Sequence, residues 1–200
     1  LQKAPDADLI YALDPVSVGL PALLASQVRG KKLVLRVAGD YAWEQGTQRF
    51  GVTDMLDAFA KKSEGYSLPV HILKKVQKYV ADGATKVIAP SNYLKSILQD
   101  WGVDKKKITV VYNGFHLTPP RALKTSIRKR LGLSGPVVMT AGRLVPWKGM
   151  KELIEMMPAL ISRVPGVNLV VVGSGPQEAE LKDKVKELGL EQAVRFVGRL

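Results

Sequence analysis

The chain has no cysteine and only two histidines, His71 and His116, in 200 residues. Without cysteine there are no disulfides and no thiolate metal sites, and two isolated histidines do not make an imidazole cluster, so protein-held metal chemistry is not expected. No apolar run approaches the roughly 18 to 20 residues that span a bilayer, and the first residues lack a basic segment followed by a hydrophobic one. Acidic residues are also scarce, with 18 Asp and Glu against 30 Lys and Arg and a net charge of +12. The excess is shared: residues 1–116 hold 16 basic against 11 acidic side chains, and residues 117–200 hold 14 against 7. Both halves favour anionic partners, and charge alone does not rank phosphorylated small molecules, acidic lipid head groups and nucleic acid.

Hydrophobic residues make up 46% of the chain, enough for one large or two small cores. Seven short β-branched runs bounded by turn signals read as buried strands: "DLIYAL", "KLVLRVA", "KVIAP", "ITVVYNG", "PVVMTAG", "VNLVVVG" and "AVRFVG". Between most of them lie segments of helical spacing, such as "HILKKVQKYVADG", "SNYLKSILQDWG" and "KGMKELIEMMPALISRVPG". The alternation predicts parallel sheets with helices on both faces. Phe115 to Pro136 breaks the pattern with "TPP", a basic stretch and "GLSGP", which reads as a connection. A first α/β domain is therefore expected at 1–116, a linker at 117–134 and a second α/β domain from 135 to 200. Gly46 to Gly65 reads as an irregular excursion with one short helix at "TDMLDAFAKK". The start at Leu1 and the stop at Leu200, directly after "VRFVG", read as a piece of a longer protein.

Four constellations could carry chemistry. "VVMTAGRLVPWKGMKELIE" is a strand, a turn and a helix start, and open parallel sheets bind ligands at the carboxyl ends of their strands. Arg143 offers a planar fork of donors and Lys148 a compact charge, so the pair is suited to a diphosphate; the residues alone leave solvated loop cations equally open. "VNLVVVGSGPQEAELKDKV" repeats the arrangement with a Gly173-Ser174-Gly175-Pro176 turn. Glu178 occupies the third glycine position of a dinucleotide fingerprint and no GK[ST] follows, so the turn is either a ligand loop or a tight connection. "LRVAGDYAWEQG" places Asp40 and Glu44 beyond a strand end, suited to contact an acceptor hydroxyl, with Trp43 as a flat face; the competing reading makes Asp40 a helix cap and Trp43 core. Finally, Lys74, Lys75 and Lys78 on "HILKKVQKYVA" suit either an anionic membrane surface or a solvated helix face.

In order and spacing these motifs resemble the retaining GT-B glycosyltransferases of family 4, also called glycosyl transferases group 1. The carrying segments are "KVIAPSNYLKSILQDWGVDKKKITVVYNGF", the GR-L…KG pattern of "VVMTAGRLVPWKGMKELIE", and "LVVVGSGPQEAELKDKVKELGL…VRFVGRL". The resemblance implies two Rossmann-like parallel-sheet domains, both incomplete, the first acceptor-side and the second nucleotide-sugar-binding. It implies a metal-independent hexosyltransferase of polysaccharide or glycolipid biosynthesis that moves a sugar with retention from a UDP- or GDP-sugar to an acceptor hydroxyl. Arg143 and Lys148 would neutralise the donor diphosphate, where leaving-group charge develops. Gly142, Gly173, Ser174 and Gly175 would lie against the nucleotide and the backbone near Leu200 against its base. Two departures stand out. Ala38 occupies the place where relatives often carry an acceptor-side His, with Asp40 as its substitute, and the family's E-x7-E element would fall beyond Leu200. Expected partners are a nucleotide-sugar and an acceptor glycan or lipid-linked acceptor, with peripheral contact to an anionic membrane and no nucleic acid. The expected location is the cytoplasm, at the inner face of the membrane, and the isolated 200-residue chain is expected to be inactive alone. The alternatives are a GT-B epimerase or phosphorylase and a non-enzymatic basic nucleotide- or nucleic-acid-binding module.

Overall fold

A computed structural model describes residues 7–116, 119 and 122–199. The chain divides into two compact units, Leu1–His116 and Leu117–Leu200, each built on its own parallel sheet. In the first, β1 (Leu9–Ala12), β2 (Lys32–Arg36), β3 (Lys86–Ala89) and β4 (Ile108–Val110) lie side by side in sequence order. Five helices accompany them: α1 (Gly19–Arg29), α2 (Tyr41–Arg49), α3 (Leu56–Lys61), α4 (Leu68–Gly83) and α5 (Asn92–Asp100). In the second unit α6 (Lys124–Arg130) precedes β5 (Val137–Ala141), α7 (Met150–Glu155), α8 (Met157–Arg163), β6 (Asn168–Val172), α9 (Glu178–Glu187) and β7 (Val194–Gly198). Every one of the seven apolar runs forms a strand.

The crossover helices depart from the expected two-sided arrangement. In both sheets, every crossover steps to the next strand in the same direction. Crossovers between parallel strands are right-handed, so a sheet that never reverses direction receives its crossover helices on one face. Leu33, Leu35, Val87 and Ala89 accordingly share one buried core with Leu23 of α1, Val80 of α4 and Ile97 and Leu98 of α5. Fully burying the leucine, isoleucine and valine side chains among them contributes about 1.5–3 kcal/mol each. On the opposite face Tyr11, Val34, Arg36 and Ile88 all remain at least partly exposed. In the second unit α7, α8 and α9 cover Val138, Leu169, Val171 and Val194. Its other face forms an apolar groove with α6, where Ile127 and Leu131 border Met139 and Val170.

Three local features differ from the sequence reading. The expected linker contains α6. The helix expected over "KGMKELIEMMPALISRVPG" is split at Met156, because Pro158 has no N–H to give to the carbonyl four residues earlier. In the excursion from Gly46 to Gly65 the expected short helix is α3, but the start of the segment lies within α2 rather than in irregular chain, and α2, α3 and α4 enclose a small core of Ala42, Val52, Phe59 and Val70.

Candidate functional site

The carboxyl ends of β5, β6 and β7 meet in one place. Beyond the strand ladder, Gly142 N donates to Val172 O at 2.9 Å, Leu144 N to Ser174 O at 3.0 Å and Gly173 N to Gly198 O at 2.7 Å. These bonds tie the three strand-end loops together around an open pocket of about 490 Å³ whose lining includes Gly142, Arg143, Gly173, Ser174, Gly175 and Arg199. The glycines are needed for the loops to approach one another. A Cβ on Gly173, whose φ is +131°, would sit 1.9 Å from Gly142 O, and one on Gly175 would sit 2.3 Å from Leu144 O. A backbone oxygen cannot yield as a flexible side chain does, so both positions exclude any larger residue. Their small size shapes the pocket whether or not a ligand is present.

Arg143 is exposed on the pocket rim, while the two residues after it, Leu144 and Val145, are buried in the unit. Lys148 is not among the lining residues: it ends a 3₁₀ turn, Pro146–Lys148, and Gly149 at φ +67° then opens α7. The structure therefore brings Arg143, Gly142 and the 173–175 turn together and sets Lys148 on the adjoining turn. Leu200 lies outside the described residues. At the start of α9, Glu178 and Glu180 stand in the first turn, so its own carboxylates already meet the positive end of the helix.

Sequence reasoning missed Arg199. It lines the same pocket as Arg143, and its Nη2 donates to Ser174 Oγ at 3.3 Å. A signal was present: the sequence "GRL" follows both "TA" at the end of β5 and "FV" in β7, and parallel strands flanking β6 deliver the Gly-Arg pairs 142–143 and 198–199 to the same end of the sheet.

The first unit's strand end corrects one expectation. Asp40 is 1% exposed. It caps α2: Oδ1 accepts from Trp43 N at 2.9 Å and Gln77 Nε2 at 3.0 Å, and Oδ2 accepts from Trp101 Nε1 at 2.9 Å. An acceptor hydroxyl has no access to this carboxylate, so Asp40 does not replace an acceptor-side histidine in this structure. Burial raises its pKa above the usual carboxylate value, opposed by the donors from Trp43, Gln77 and Trp101. Trp43 likewise packs against the Ala42–Val52–Phe59–Val70 core and donates its indole N–H to Asp54 O at 2.8 Å. Two carboxylates do line a pocket beyond β2, Glu44 beside Ala38, Gly39 and Tyr41, and Asp14, which already accepts from Val16 N, Ser17 N and Ser17 Oγ. Among the described residues no group of three or more His, Cys, Asp or Glu is placed to hold a metal.

Comparison with known proteins gives the family and the fold class. Residues 1–118 match the family profile described as Glycosyltransferase Family 4, and residues 124–200 that of Glycosyl transferases group 1. The chain belongs to glycosyltransferase family 4 and has the GT-B class of fold. It is 39% identical over 101 residues to a GDP-mannose-dependent monoacylated alpha-(1-6)-phosphatidylinositol monomannoside mannosyltransferase of Corynebacterium glutamicum, covering 50% of this chain and 24% of that protein. It is 30% identical over 155 residues to the mannosylfructose-phosphate synthase of Agrobacterium fabrum, covering 70% of this chain and 34% of that protein. Anabaena HepE, solved with UDP-glucose, superposes with a TM-score of 0.75 at 28% identity, over 100% of this chain and 50% of HepE. The chain thus spans about half of that solved structure and about a quarter to a third of these curated relatives.

Proposed function

We propose that this chain carries the donor site of a retaining glycosyltransferase that moves a hexosyl group from a UDP- or GDP-sugar to an acceptor hydroxyl. The observation that carries the reading is the strand-end pocket with Arg143 and Arg199 on its wall and the Ser174 hydroxyl between them in sequence. As the bond between sugar and diphosphate breaks, negative charge grows on the leaving oxygens, and fixed guanidinium groups stabilise it more than they stabilise the intact donor. Arg143 is suited to grip two oxygens at once and Lys148, on the next turn, to add a point charge as the nucleotide settles. Gly142 and the 173–175 turn offer backbone to the nucleotide. In the first unit Glu44, rather than the buried Asp40, is suited to contact an acceptor, with Asp14 on the same pocket wall committed to the 14–17 turn. Relatives named for UDP-glucose complexes and GDP-mannose support either base, and those named for phosphatidylinositol mannosides support a lipid-linked acceptor. No described helix is long and apolar enough to cross a membrane, which suits work at the cytoplasmic face of one.

Titration of the chain with UDP and with GDP tests the site. Binding of at least one that weakens about tenfold or more in Arg143→Ala supports it, from charge-assisted hydrogen bonds worth about 1.5–3 kcal/mol. Unchanged affinity would remove the diphosphate assignment. Retention is tested on the full-length protein by NMR of the first-formed product, where an anomeric configuration inverted from the donor's would overturn it.

A further inference from the structure

The first unit holds a second pocket, built from different elements than the strand-end loops. It has a volume of about 270 Å³ and lies where the end of α3, the middle of α4 and the end of α5 meet. Five lysines line it, Lys61, Lys62, Lys74, Lys75 and Lys78, against a single acid, Asp100. Three of the five are engaged within the fold. Lys62 pairs with Asp54 at 3.0 Å and Lys78 with Asp82 at 2.8 Å. Lys74 turns inward, donating to Phe59 O and to Lys62 O and lying 4.1 Å from the centre of the Phe59 ring. Burial lowers its pKa, opposed by the charge of Asp40, and among the described residues no carboxylate hydrogen-bonds to it. Lys61 and Lys75 have no partner among the described residues. His71 and the Ser63 hydroxyl complete the polar wall.

Like charges gathered on a concave, partly apolar wall raise one another's energy, and the field they focus attracts a multiply charged anion. Two uncommitted ammonium groups with a hydroxyl and an imidazole beside them match a group carrying nearly two negative charges on three acceptor oxygens. We infer that this pocket binds a phosphomonoester, separately from the donor site proposed above. The volume admits a phosphate with a small attached group. The outward side of α4 exposes Leu68, Ile72 and Tyr79 beside Lys75, so the phosphate's source is either a soluble molecule or a lipid head group.

The experiment uses glycerol 1-phosphate in solution and vesicles of phosphatidylcholine with and without phosphatidic acid. It compares the unmodified chain with Lys61→Ala/Lys75→Ala, with Lys105→Ala/Lys106→Ala as an equal charge change elsewhere in the unit, and with Arg143→Ala. The expected result is binding that falls at least tenfold in Lys61→Ala/Lys75→Ala and survives in the other two variants. Loss of glycerol phosphate binding identifies a soluble ligand; loss confined to phosphatidic acid vesicles identifies a head group. An equal loss in both lysine pairs, retention in Lys61→Ala/Lys75→Ala, or no binding of either probe by the unmodified chain overturns the inference. Loss only in Arg143→Ala overturns it too, while leaving the donor reading intact.

Discussion

Each unit carries an Ala-Gly followed by a charged residue just past a strand: "VAGD" after β2 and "TAGR" at the end of β5. The two charges meet opposite fates. Asp40 is absorbed into the fold, because α2 starts at the next residue and Gln77 and Trp101 supply donors behind it. Arg143 stays at the surface, because Leu144 and Val145 take the inward places and the next α-helix is delayed to Met150. A short carboxylate can be satisfied by three inward donors, whereas a guanidinium has five donors and no acceptor capacity and needs several carbonyls or an anion. The lesson is that a charge at a strand end is a binding group only where the fold leaves its hydrogen-bonding capacity unspent.

Substitutions on the two sides should separate these roles, beginning with the largest effect. Asp40→Ala strands the donors of Trp43, Gln77 and Trp101 and removes a helix cap, so urea unfolding should show a loss of roughly 3 kcal/mol or more. A loss under about 1 kcal/mol would show that the network carries little. Gly173→Ala forces its Cβ against Gly142 O, and a destabilisation of about 3 kcal/mol together with lost UDP and GDP binding is expected from unfolding curves and titration. Arg143→Ala should do the reverse, leaving the unfolding midpoint in place while nucleotide affinity drops about tenfold or more. Equal stability losses for Arg143→Ala and Asp40→Ala would erase the contrast.

Two smaller effects sharpen it. The folded protein holds the Asp40 proton more tightly than the unfolded chain does, since its folded pKa is raised. This contribution to stability is fully present below the unfolded pKa and is lost as pH rises through the folded one. Between about pH 4 and about pH 7 the unmodified chain should therefore lose more stability than Asp40→Asn, whose side chain has no proton to release. Parallel curves would assign the pH dependence to other groups. Arg199→Ala, which removes a second guanidinium held by one 3.3 Å bond to Ser174, should weaken nucleotide binding about threefold, on the order of 0.6 kcal/mol. Unchanged or increased affinity would remove Arg199 from the groups that hold the ligand.

Much of the fold was legible because buried parallel strands are dense in β-branched residues and end at glycine or proline, and those signals are local. The elements that escaped lack them. α2 reads "YAWEQGTQR", with a mid-helix Gly46 whose missing side chain makes room for Val52; a Cβ there would lie 2.8 Å from Val52 Cγ2. α6 reads "KTSIRKR", too short and too basic to show an apolar face, though Ile127 borders a groove with the sheet. Of the site, Arg143 and the 173–175 turn were visible as strand-end motifs. Arg199 was visible only as the echo of "AGRL" in "VGRL", and nothing local marked Lys61 and Lys75 as neighbours.

By itself the sequence determined the seven strands, their alternation with helices, the family, and which residues follow each strand. Those are properties of segments a few residues long and of their order. Tertiary structure decided which of the strand-end charges are available. Asp40 is closed off by side chains 37 and 61 residues further along, and Arg199 reaches the rim of Arg143 by way of a turn 25 residues before it. Burial and hydrogen-bond satisfaction depend on groups distant in the chain, so a local pattern can name a charge without saying whether the fold has already used it.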